Sequence, residues 1–179
     1  LCKYLATVVD NKLVNFILEY LDDCNGKKLG IDHVGVMGPL TLNLGIISYC
    51  KENFKITLDL RCPHDMDFDN MISKFQTVCA NYGFNETHNI GEALYVDPDS
   101  KLIKTLHEAY VNVTGDTVNK PQTMGGGTYA KSMPNCVAFG AEFLGEDNLI
   151  HGNNENIKIE SLLKATEIYC QAIYNLIKV

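Results

Sequence analysis

Phe54-Lys55-Ile56-Thr57-Leu58-Asp59-Leu60-Arg61 alternates apolar and polar side chains at every step, the period of a strand with one face in a core and the other toward solvent. A second run rich in apolar and β-branched residues, Thr41 to Cys50, precedes it across the polar Lys51-Glu52-Asn53, so the two read as a hairpin covered on one side. Helical periods flank this hairpin. Before it, Leu13, Val14, Ile17, Leu18 and Leu21 recur between Asn11 and Asp23, with Asn25-Gly26 as a stop. After it, Met71, Ile72, Phe75, Val78 and Cys79 recur from Asp67 to Tyr82 and end at Gly83, and Phe84 to Ile90 reads as a further short strand. The order α-β-β-α-β is a split ferredoxin-like pattern short of its first strand.

Asp97-Pro98-Asp99-Ser100 marks a boundary that carries a helix cap, which divides the chain into 1–96 and 97–179. Beyond it Leu102, Ile103, Leu106, Ala109 and Tyr110 define a helix that stops at Gly115. Val118 to Thr123 reads as a short strand, Gly125-Gly126-Gly127 as a turn into a short helix, and Cys136 to Phe143 as a buried strand. The longest helix runs from Ile159 to Ile177. The class is α+β: a ferredoxin-like unit followed by an α/β segment.

Composition narrows the function. With 179 residues, 46% hydrophobic and 21% charged, the chain can bury a core without disulfides. A formal charge of −7 argues against a nucleic-acid surface as partner, and no apolar run is long enough for a membrane span. Seven scattered cysteines without a C-x-x-C spacing signal neither a disulfide framework nor a zinc ribbon, and point to a reducing, cytoplasmic setting. The chain opens at Leu1 without an initiator Met or a signal peptide, which reads as a cut. A cut could leave the apolar face of the helix at 11–23 exposed.

Two segments could carry chemistry. In His151-Gly152-Asn153-Asn154-Glu155, the glycine leaves the imidazole open to a metal or substrate and a carboxylate lies near; the other reading is a polar loop capping the last helix. In Gly125-Gly126-Gly127-Thr128-Tyr129-Ala130-Lys131, bare backbone N–H groups, a capping threonine and a cation suit a carboxylate or phosphate; the other reading is a turn with a solvated lysine. Asn43 lies in an otherwise apolar strand, where a buried amide needs partners. His88 sits between polar neighbours, His33, His64 and His107 read as surface residues, and Arg61 reads as a structural ion pair at a strand exit. No nucleophilic triad is present.

Taken in order, Gly38 to Gly45, Ile56 to Pro63, Gly125 to Lys131 and His151 to Glu155, followed by a terminal helix, resemble the C-terminal part of PepV-type dipeptidases. These belong to the dinuclear zinc metallopeptidases that include aminoacylases, carnosinases and glutamate carboxypeptidases. The resemblance implies most of a lid domain followed by the returning segment of a catalytic domain that holds two zinc ions. It makes His151 a zinc ligand, Glu155 the acidic residue closing that motif, and His88 a lid histidine that polarises the scissile carbonyl. It also makes Asn43, Gly125, Gly126, Gly127, Thr128 and Lys131 the grip on the free carboxylate of a short peptide. Family members usually carry Arg where this sequence has Lys131, and lysine cannot make the bidentate fork. The other metal ligands belong to an N-terminal segment that is not in this sequence, so the chain by itself is expected to be inactive and without stoichiometric zinc. The resemblance leaves a homodimer open as a further partner. The rival reading is a non-catalytic ferredoxin-like module for ligand binding or dimerisation.

Overall fold

The computed structural model describes the chain apart from residues 1, 6, 8, 9, 51, 52, 141, 144, 147, 148 and 179 and the side chain of Leu5. It divides into two units, Leu1–Ala93 with Thr123–Gly125, and Leu94–Gln122 with Gly126–Val179.

The first unit opens with a short turn of helix, α1 (Cys2–Leu5), and α2 (Lys12–Tyr20). The side chain of Asn11 caps α2 by accepting the N–H groups of Leu13 and Val14 at 2.9 and 3.3 Å. The helix ends sooner than its apolar period because Asp23 gathers the N–H groups of Asn25, Lys27 and Lys28, each at 3.0 Å, into a turn. A two-residue ladder follows, β1 (Val34–Gly35) against β2 (Gly38–Pro39), its corner at Gly38 having φ +98°. The period-2 stretch then forms an antiparallel pair, β3 (Thr41–Cys50) and β4 (Asn53–Arg61). Along β4 Phe54, Ile56, Leu58 and Leu60 are half-buried while Lys55, Thr57, Asp59 and Arg61 are exposed. A register shift between Leu44 and Ile46 interrupts β3. Beyond it Ile46, Ile47 and Tyr49 face solvent.

Helix α3 (Phe68–Tyr82) starts where the Asp67 carboxylate accepts the Asn70 N–H and stops at Gly83, which takes the left-handed conformation at φ +72°. It packs with α2 over the inner face of the hairpin, around Phe16, Ile31, Leu40 and Leu42. The Phe16 ring lies 5.6, 5.3 and 5.2 Å from those of Tyr20, Tyr82 and Phe84. Leu13, Val14, Phe16, Ile17 and Leu21 are buried, so the apolar face of α2 is covered rather than left open.

The strand expected at Phe84 to Ile90 does not form. Phe84 enters the aromatic cluster, but the polar residues that follow bury too little surface to hold the segment against a sheet edge. Among the described residues the main sheet therefore has two strands.

The second unit is built on α4 (Lys101–Thr114) and α5 (Ile159–Ile177). Ser100 caps α4, and Gly115, at φ +72°, ends it. Leu106, Ala109 and Ala172 form the contact between the helices, joined by Leu102, Val137 and Phe139. A 3-10 turn, Tyr129–Ser132, follows the glycine triplet. Neither Val118 to Thr123 nor the described part of Cys136 to Phe143 is a strand, and the latter is half-buried or exposed rather than buried. Apolar, β-branched stretches become strands only when a neighbour supplies ladder partners, and none pairs with them among the described residues. Leu162, Leu163, Ile173 and Ile177 on α5 are exposed. No helix among the described residues is long and apolar enough to cross a membrane.

Candidate functional site

The outward face of the hairpin in the first unit carries Thr41, Asn43, Asp59 and Arg61. Thr41 lies opposite Arg61 and Asn43 opposite Asp59, which makes Asn43 and Arg61 diagonal neighbours, a separation of roughly 7–8 Å. Asn43 is exposed, not the buried amide its apolar surroundings suggest, because Leu42 and Leu44 take the inward positions on either side of it. Arg61 Nε lies 3.5 Å from the Asp59 carboxylate, and its Nη1 donates to the carbonyl oxygen of Gly125. Thr123 Oγ1 donates to the Met37 carbonyl at 3.2 Å. Residues 123–125 are thus tied to the first unit by two side-chain hydrogen bonds. A Cβ on Gly125 would stand 3.1 Å from Arg61 Cδ and 3.2 Å from Nη1, so glycine lets the backbone come this close to the guanidinium.

This contact gives Arg61 more than the strand-exit ion pair that sequence suggests. A guanidinium has five N–H donors in a planar fork, and here it stands beside an amide side chain and the first glycine of the triplet. Its partner Gly125 is 64 residues away in sequence, so no local spacing signals the role.

His88 belongs to the same unit. Its Nδ1 lies 3.1 Å from Glu86 Oε2, and the other oxygen of Glu86 accepts from Gln76 Nε2 on α3 at 2.6 Å. Hydrogen bonds from Gln76 first and His88 second hold the Glu86 carboxyl below its ordinary range. His33 and His107 are half-buried rather than on the surface. His33 Nε2 is 3.8 Å from Asp65, and the His107 ring stacks 6.3 Å from Tyr110.

Gly126, Gly127, Thr128, Lys131, His151 and Glu155 belong to the second unit. Thr128 caps the 3-10 turn by accepting the Ala130 N–H at 3.2 Å, and Lys131, within that turn, is exposed. His151 is exposed with φ +59°, next to a turn closed by the Gly152 N–H on the Leu149 carbonyl at 2.8 Å. A Cβ on Gly152 would sit 3.0 Å from that carbonyl oxygen, so this glycine permits the turn itself besides leaving the imidazole uncrowded. Glu155 is exposed. Among the described residues no group of three or more His, Cys, Asp or Glu side chains could hold a metal. One exposed imidazole is not a metal cage, and the donors described in this chain do not by themselves fit a zinc centre.

The sequence profile of peptidase family M20/M25/M40 matches residues 5–175. A Staphylococcus epidermidis protein named "Putative dipeptidase" is 40% identical over 184 aligned residues, covering 98% of this chain and 39% of its own length. Similar proteins of Staphylococcus haemolyticus and Staphylococcus aureus are 39% and 38% identical, with 92% and 98% of this chain covered. The chain spans 39% or less of the length of these relatives.

Proposed function

The chain belongs to peptidase family M20/M25/M40, and we propose that it supplies the carboxylate-binding part of a zinc-dependent dipeptidase. The observation that carries this reading is the meeting of Arg61 with Gly125 on the face that also bears Asn43. A short peptide with a free C-terminal carboxylate presents two coplanar oxygens, which a guanidinium fork and an amide N–H can hold with charge-assisted hydrogen bonds. Arg61 then provides the cation expected of Lys131, while Gly126, Gly127, Thr128 and Lys131 continue the same segment.

Holding the carboxylate fixes the distance from the peptide's end to its scissile bond, so only short substrates place that bond at the reacting groups. In this reading His88 meets the scissile carbonyl. His151 would be one donor to the metal pair, with Glu155 four residues on in sequence, and the enzyme of full family length would supply the remaining ligands. The metal would polarise the carbonyl and activate water. This part of the fold then acts as the ferredoxin-like lid followed by a catalytic-domain segment, in an enzyme of the cytoplasm. The scatter of its seven cysteines, without a C-x-x-C spacing, supports that placement.

The test compares a dipeptide with the same dipeptide amidated at its C-terminus, using the enzyme of full family length with added zinc. The expected result is hydrolysis of the free acid and little or none of the amide. Equal cleavage of both would overturn carboxylate recognition, and hydrolysis of neither would favour a non-catalytic module.

A further inference from the structure

His88 is held by a relay that begins on α3. Gln76 Nε2 donates to one Glu86 oxygen at 2.6 Å, and the other lies 3.1 Å from His88 Nδ1. The Glu86 side chain is 16% exposed and that of His88 48%, so the carboxylate is mostly covered while the ring keeps an open side. We propose that Glu86 is a positioning residue that fixes His88 with its proton on Nδ1 and leaves Nε2 as the ring's outward working atom.

The argument is one of donors and acceptors. An ionised carboxylate only accepts, so Nδ1 must carry the hydrogen. The hydrogen bond at one ring nitrogen decides the state of the other. The groups facing this pair from α3 are the amide of Gln76 and the thiol of Cys79, whose pKa is raised by burial first and by Glu86 second. Neither is a cation that would compete with His88 for the carboxylate. Gln76 donates to Glu86 and so favours its charged form.

The assignment limits what the imidazole can do. As a neutral ring, Nε2 offers a lone pair and accepts; it donates to a carbonyl oxygen only as imidazolium, whose charge Glu86 offsets. The catalytic use of this arrangement rests on the peptidase reading above, whereas the position of the proton does not.

Nitrogen-15 NMR of the histidine rings, at a pH where they are neutral, tests the assignment in this chain. His88 should show the Nδ1–H form, and Glu86→Ala should shift it toward the Nε2–H form. A wild-type ring already in the Nε2–H form, or one unchanged by Glu86→Ala, overturns the proposal. Gln76→Ala leaves His88 and Glu86 intact and should give a smaller shift in the same direction. In the enzyme of full length, Glu86→Ala should lower kcat on the order of tenfold, the size typical of an outer positioning partner, with KM little changed. Unchanged kcat in Glu86→Ala beside impaired His88→Ala would also overturn the positioning role. If His88→Ala itself leaves kcat unchanged while the NMR result holds, the catalytic reading fails and the proton assignment stands.

Discussion

Arg61, the last residue of β4, donates from its guanidinium to the backbone carbonyl of Gly125, 64 residues further along the chain. The contact joins the end of a regular strand to the first residue of a glycine triplet. In the function proposed above, the two together form the place where the substrate's carboxylate is held.

Replacing Arg61 should therefore affect substrate binding more than replacing Lys131. A hydrogen bond to a charged group is worth about 1.5–3 kcal/mol, so Arg61→Ala should raise KM by roughly ten- to a hundredfold. Arg61→Lys should recover only part of that loss, because an ammonium cannot make the fork. Lys131→Ala should have the smaller effect. Steady-state kinetics on a dipeptide would show the order, and a larger loss from Lys131→Ala would reverse the assignment.

Phe16 is 1% exposed and touches three aromatic rings. Phe16→Ala should destabilise the first unit by about 3–5 kcal/mol, seen as a lower denaturation midpoint. A change below about 1 kcal/mol would mean that the cluster repacks around the cavity.

Asp116 follows α4 and accepts from the side chain and N–H of Asn119, the Tyr110 hydroxyl and the Val118 N–H, which hold its carboxyl far below the ordinary range. Its folded pKa lies below the unfolded value of about 3.9. The contribution is thus present above that value and disappears as pH falls toward the folded pKa. Acid titration of unfolding should show a dependence in that range that Asp116→Asn flattens. An unchanged profile would remove Asp116 as its source.

His151 alone should not retain zinc. After loading with zinc and dialysis, the chain should hold well under one equivalent by elemental analysis. A tightly bound equivalent would place a metal cage within these residues and contradict the division of ligands proposed above.

Local signals in the sequence account for much of this fold. The helix at 159–177 matches its apolar period, and Asp67 with Gly83 and Ser100 with Gly115 bound their helices by side-chain capping and left-handed glycine. The alternation at 54–61 fixes which side of the hairpin is covered, because side-chain direction reverses at every residue. The strands expected at 84–90, 118–123 and 136–143 are different. Pairing depends on a second segment, and composition does not say whether one is in reach. Asn43 was legible as an unusual amide but not as an outward one. The tie of Arg61 to Gly125 was illegible for the same reason as the strands, since that partner is set by tertiary folding. His88 has its carboxylate partner Glu86 only two residues away, a spacing already present in the sequence, whereas for His151 and Glu155 the sequence supplies residue types and order and no metal-holding group forms among the described residues.

The path of the backbone has a practical consequence. Residues 123–125 belong with Leu1–Ala93, although 94–122 do not. A gene divided after Ala93 would yield an amino-terminal product lacking Thr123 and Gly125, the partners of Met37 and Arg61, and a remainder in which 123–125 dangle without those partners. Biochemists wishing to express either half should keep that short return passage with its owner, by grafting it through a linker or by supplying it as a peptide.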